Sequence, residues 1–181
     1  VTGPTGSGKS STLAAIIERK QQEIRDAGQA FWGYGGTLCH PLNQVQPFAQ
    51  KVCGKSGSLS LLMWAVDSPF DSKAKEATHY SATKKAEDWD KIPKGIKVTG
   101  SSHALVLTDI TAVEIELDLS RYVVGVGPKE GTPAVDYIRH RTDKGCLSLG
   151  PAPTRAAQRS LVRVSYVAKL APPYAVFVKR Y

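Results

Sequence analysis

The sequence predicts a mixed α+β fold: a glycine-rich loop and one helix at the N-terminus, then a strand-rich, largely antiparallel region. Three observations predict it. The loop at residues 3–10 runs directly into a stretch with apolar residues at helical spacing. Residues 113–119 alternate strictly as Val-Glu-Ile-Glu-Leu-Asp-Leu, the period of a strand. Beyond residue 28 the apolar runs do not alternate with helical segments, so the rhythm of a doubly wound parallel sheet is missing. With 181 residues the chain is long enough to bury a real core.

Taken in order, Leu13, Ile16, Ile17 and Ile24 fall on one helical face, and Gly28 is a plausible stop, which predicts a helix over 9–27. Phe31 to Leu38 is aromatic and glycine-rich. It reads as a short strand or a tight loop where the backbone approaches another group closely. Ser58 to Val66 is an apolar run whose length suits a buried strand, with a short helix as the alternative. Ser72 to Asp90, rich in Ala, Lys and Glu, reads as a helix ended by Pro93. Ile96–Val98 and Ala104–Leu107 read as strands, as does Val113–Leu119, with one face buried and its carboxylates in solvent. Val123–Val126 is another candidate strand. Residues 127–157 are turn-rich. Ser160–Ala168 and Tyr174–Val178, separated by Pro172-Pro173, suggest a terminal hairpin. The expected organisation is a phosphate-loop and helix segment, 1–28, joined to a strand-rich domain, 29–181, with a basic C-terminal part.

Composition narrows the classes. The hydrophobic fraction of 41% and charged fraction of 22% are ordinary for a globular chain. No apolar run is long enough for a membrane-spanning helix. Three scattered cysteines do not make a disulfide framework, so a cytoplasmic setting is expected. The net charge is +8, and it is uneven. From Lys144 to Tyr181 there are seven basic residues and no acidic one. Such a block attracts phosphates, nucleic acid or an acidic partner, or simply keeps a surface solvated.

One motif has a mechanism at every fixed position. Gly3-Pro4-Thr5-Gly6-Ser7-Gly8-Lys9-Ser10 completes the Walker A pattern. Gly3, Gly6 and Gly8 allow the torsions that turn backbone N–H groups inward around an anion. Lys9 would reach the β- and γ-phosphates of ATP. Ser10 would offer its hydroxyl to Mg²⁺, with Ser11 beside it. The helix that follows adds its positive N-terminal end. The expected cofactors are therefore ATP and Mg²⁺. The chain opens at Val1-Thr2, with at most two residues of the strand that normally precedes such a loop, which reads as a piece of something longer.

The run from Val1 to Ile17 resembles the Walker A region of the secretion-ATPase superfamily, which includes the type II, type IV, conjugation and pilus-retraction ATPases. The resemblance covers about the first twenty residues. It implies ATP hydrolysis in a hexameric ring that drives secretion or pilus machinery. The acidic box, the Walker B segment with its catalytic glutamate, and the histidine box of that family are not found. The substitutes are two apolar runs ending in aspartate, Leu61–Asp67 and Ala104–Asp109, of which Asp67 is the preferred Mg²⁺ partner. Such an aspartate also commonly just caps a turn.

Other constellations are weaker. Cys39-His40 and Cys53 lack a fourth ligand for zinc. His79, His103, Asp109 and His140 could form an acid–base site only if the fold assembled them. Arg139, Arg141, Arg155, Arg159 and Arg163, with nearby aromatics, could track a nucleic-acid backbone, although Arg163 and Tyr166 would face opposite ways on a strand. Two functions follow. One is nucleotide binding by a fragment of a secretion-type ATPase that lacks a recognisable catalytic glutamate. The other is a basic α+β domain that binds nucleic acid or another anionic partner, with the loop segment a joined leader.

Overall fold

A computed structural model describes residues 2–4, 10–35, 39–56, 58–66, 74–141, 144–151 and 160–181. Strand β1 (Thr2–Pro4) precedes helix α1 (Ser10–Ala27) and β2 (Ala30–Tyr34). A π-helical turn at Pro41–Val45 feeds α2 (Gln46–Ser56), then β3 (Leu59–Val66). Short strands β4 (His79–Ser81) and β5 (Asp90–Lys91) precede the long β6 (His103–Asp118). After β7 (Tyr122–Val124), α3 (Ala134–Arg141) and β8 (Leu147–Leu149), the chain closes with β9 (Leu161–Lys179). The fold is α+β, with an N-terminal helix followed by a strand-rich region.

Strand β9 is the spine of the main sheet. β6 lies along one of its edges; β3 and then β4 lie along the other. β2 flanks β6, β5 flanks β4, and β1 flanks β3. Among the described strands only β1 and β3 pair in parallel, with Thr2 opposite Trp64, Gly3 opposite Ala65 and Pro4 opposite Val66. A parallel pair needs a long crossover, and α1 is part of it.

Helix α1 packs on one face of this sheet. Ile17 sits in a cluster with Trp32 and Tyr34 of β2, Leu61 and Met63 of β3, Leu105 and Leu107 of β6, and Ala168 and Ala175 of β9. The opposite face buries Phe31, Val106, Val176 and Val178 under Ala77, Ile96 and Val98. Alternation explains the division, since neighbouring residues such as Phe31 and Trp32 enter different clusters. Gly33 is where β2 meets a close neighbour: a Cβ there would lie 2.5 Å from Ser101 Oγ. Gly28 ends α1 at φ +74°, its N–H bonded to the Ile24 carbonyl at 2.8 Å.

A buried ion pair fixes the helix. Lys20 Nζ lies 2.8 Å from Glu23 Oε2, with both side chains almost fully enclosed. Lys20 also donates to the Lys97 carbonyl at 2.5 Å, and Glu23 Oε1 accepts the Lys97 N–H at 3.2 Å. Burial pushes the Lys20 ammonium below its ordinary range, and Glu23 opposes that shift. Gln21 adds a bond to the Ile110 carbonyl at 3.0 Å.

Several expected elements differ. Residues 74–90 contain no α-helix; they form β4, a 3-10 turn at Ala86–Asp88 and the start of β5. Packing of Tyr80 edge-on against Phe31, with ring centroids 5.1 Å apart, overrides the helical composition. The two strands expected at 104–107 and 113–119 are one strand, β6, and the expected terminal hairpin is the single strand β9. Pro172 and Pro173 cannot donate to a ladder, so β9 bulges there, and its register to β6 jumps from Leu170↔Leu107 to Ala175↔Leu105. The outer end of β6 is not buried on one side as alternation suggests, since Ile115 is 45% exposed. An irregularity between Ala112 and Ile115 shifts the facing there. Helix α3 stands inside the stretch read as turns.

Truncating Glu23 to Ala strands a buried ammonium, so the Glu23→Ala variant is expected to lose about 3–5 kcal/mol. Urea unfolding reads the loss. A Lys20→Met, Glu23→Leu double variant is expected to recover most of it, and an unchanged midpoint for Glu23→Ala would contradict the clamp.

Candidate functional site

The end of the β1–β3 pair is where the glycine-rich segment begins. Gly3 and Pro4 lie on β1, and Pro4 stands opposite Val66, the last residue of β3. Asp67 follows Val66 directly in the sequence. Ser10 and Ser11 open α1. The described residues on either side of 5–9 are thus the end of β1 at Pro4 and the start of α1 at Ser10. Gly6, Gly8, Lys9 and Asp67 themselves lie outside the described residues. A cleft beside the first turns of α1 is lined by Leu13, Ile16, Leu61, Cys146 and Leu147, a mostly apolar wall.

The second aspartate candidate is corrected. Asp109 lies in the middle of β6, not at a strand end, because the strand runs on to Asp118. It is exposed and 4.0 Å from Lys169 Nζ, its cross-strand partner. A Walker B aspartate belongs at the end of a buried strand, and Asp109 is not at one; Asp67, the residue after β3, lies outside the described residues.

The proposed acid–base group is not assembled either. His103 and Asp109 are six positions apart on one strand, roughly 20 Å. His79 stacks edge-on against Tyr181, with centroids 4.3 Å apart. His140 is on α3. What the fold brings together instead is His103 with His40, Tyr34 and Phe177. The His40 and His103 rings are 5.6 Å apart, and each lies against Phe177. Lys84 Nζ is 5.5 Å above that phenyl ring. Burial, then the neighbouring His40 and Lys84, lowers the His103 pKa. His40 Nδ1 is enclosed without a hydrogen-bond partner.

The cysteines separate into two places. Cys39 and Cys146 are in side-chain hydrogen-bond contact, and that bond together with burial pushes the Cys146 thiol up. Tyr34 donates its hydroxyl to the Cys39 carbonyl at 2.6 Å. Cys53 instead meets Tyr174. Among the described residues no three His, Cys, Asp or Glu side chains gather as metal ligands.

The basic residues do not make one described surface. Arg139 and Arg141 belong to α3, while Arg155 and Arg159 lie outside the described residues. Arg163 is exposed on β9 and stands opposite Glu116 of β6, so a carboxylate offsets its charge. Tyr166 is three residues along β9 and faces the other way. No described helix is long and apolar enough to cross a membrane. No known protein-family model matches the chain, and no curated protein or solved structure matches it.

A lowered His103 pKa has a definite consequence for stability. The unfolded chain protonates this ring near pH 6.5, and the fold resists it. The unfolded state then binds more protons, so stability falls as pH drops below about 6.5. His103→Gln is expected to flatten that part of the pH–stability curve measured by urea unfolding. An equally steep curve in the variant would contradict the assignment.

Proposed function

We propose that this chain binds ATP with Mg²⁺ through the loop between β1 and α1. The parallel pairing of β1 with β3 carries the reading. It supports a strand–loop–helix unit, the context that gives a Walker A sequence its function. It also ends β3 beside the last residue of β1, and in this reading Asp67, next in the sequence, would approach Mg²⁺ through water. In this reading Gly3, Gly6 and Gly8 let the backbone surround the phosphates, Lys9 neutralises them, and Ser10 and Ser11 stand at the helix start. The apolar cleft by Leu13, Ile16 and Leu147 suits a purine ring.

A relationship to secretion and pilus-retraction ATPases belongs to the same reading and rests on residues 1–20 alone. A cytoplasmic location accompanies it. The expected activity is binding rather than rapid turnover, because no glutamate follows Asp67 in the segment Asp67-Ser68-Pro69-Phe70-Asp71. A six-membered ring is implied only by the resemblance.

Isothermal titration with ATP and Mg²⁺ tests this. Lys9→Ala is expected to weaken binding roughly 10- to 100-fold, the equivalent of ~1.5–3 kcal/mol for a hydrogen bond to a charged group. Asp67→Asn is expected to reduce the gain in affinity that Mg²⁺ gives while leaving metal-free ADP binding intact. The same heats from wild type and Lys9→Ala would exclude the loop as the site.

A further inference from the structure

The face of the sheet formed by β5, β4 and the end of β9 carries a second arrangement, unrelated to the phosphate loop. His79 stands opposite Lys91 on one side and Lys179 on the other, so three basic side chains lie in a row across three strands. Lys91 and Lys179 flank His79, and among the described residues no carboxylate stands in register between them. Asp90 pairs with Tyr80 and so lies on the opposite face. Asp88 is engaged by the Thr83 hydroxyl.

Two aromatic rings frame the row. Lys179 Nζ sits 3.8 Å from the Trp89 ring centre and 4.1 Å from that of Tyr181. Tyr181 is 75% exposed, so most of its surface is open to a ligand. Thr78 holds the His79 ring in place. Thr78 Oγ1 accepts the Tyr181 N–H at 3.0 Å and lies 2.9 Å from His79 Nδ1.

We propose that this face binds single-stranded nucleic acid, with Lys91, His79 and Lys179 contacting backbone phosphates and Tyr181 and Trp89 stacking on bases. The charge complementarity selects a polyanion, and the rings select one with exposed bases. A duplex keeps its bases stacked inside, and a flat sheet face with upright rings has no way to reach them. Arg163 lies at the other end of β9 from this surface.

Fluorescence anisotropy with a short fluorescein-labelled oligothymidylate, at low salt, tests the proposal. Tyr181→Ala is expected to weaken binding about tenfold, the loss of one stacked base. Tyr181→Trp keeps a ring and is expected to retain affinity. Lys91→Gln and Lys179→Gln are each expected to lower the slope of log affinity against log salt by about 0.7. Tyr181→Ala is expected to leave ATP titration unchanged. The proposal is overturned if no binding occurs at low salt. It is equally overturned if Tyr181→Ala binds like wild type, or if heparin competes as well as oligothymidylate while the ring substitutions have no effect, since that is plain attraction of a polyanion.

Discussion

The pair formed by Lys20 and Glu23 decides how the N-terminal segment relates to everything after it. Taking an ammonium and a carboxylate out of water is costly, and the cost is tolerable only when geometry and further hydrogen bonds are good. Here both requirements are met by the backbone of Lys97, which accepts from Lys20 and donates to Glu23. Residues 96–98 cover the other face of the sheet, so this contact links the layers. Ile17 fills the core a turn earlier on the same helix. With α1 held in this way, the glycine-rich segment is flanked by a helix fixed on the sheet and a strand that is already paired.

That constraint gives the β1–β3 pair its meaning. Three residues of strand are little to hold a loop by themselves. The register Thr2↔Trp64 to Pro4↔Val66, the helix on the sheet and the apolar cleft beside its first turns act together. The other end of the sheet is chemically different: there His40 and His103 packed on Phe177, with Lys84 over that ring, and the Lys91–His79–Lys179 row occupy the opposite end of β9 from Arg163. The β1–β3 pair and the Lys91–His79–Lys179 row thus stand at different places on one scaffold.

Much of this was legible in sequence, for definite reasons. Helix α1 announces itself by Leu13, Ile16, Ile17 and Ile24 at helical spacing and by Gly28 as its stop, and the structure places it over Ser10–Ala27. The run before Asp67 is a strand, as its length suggests. Gly33 is the close approach that the glycine-rich stretch implied. The failures are tertiary. The segment 74–90 has a helical composition, yet it forms short strands in which Tyr80 packs edge-on against Phe31. Pro172-Pro173 looks like a chain reversal and is a bulge within one strand. The row of Lys91, His79 and Lys179 joins residues far apart in sequence through strand register alone, which no local pattern reveals.

The parallel pairing of β1 with β3 is the central claim, and solution NMR tests it most directly. On a uniformly labelled sample the account predicts interstrand contacts linking Thr2 and Gly3 to Trp64 and Ala65 in parallel register. It also predicts that ATP with Mg²⁺ shifts the amides of residues 3–10 and 66–67 together. An intact helix over Ser10–Ala27 with no contacts between residues 2–4 and 64–66, and no shared response to nucleotide, would contradict it.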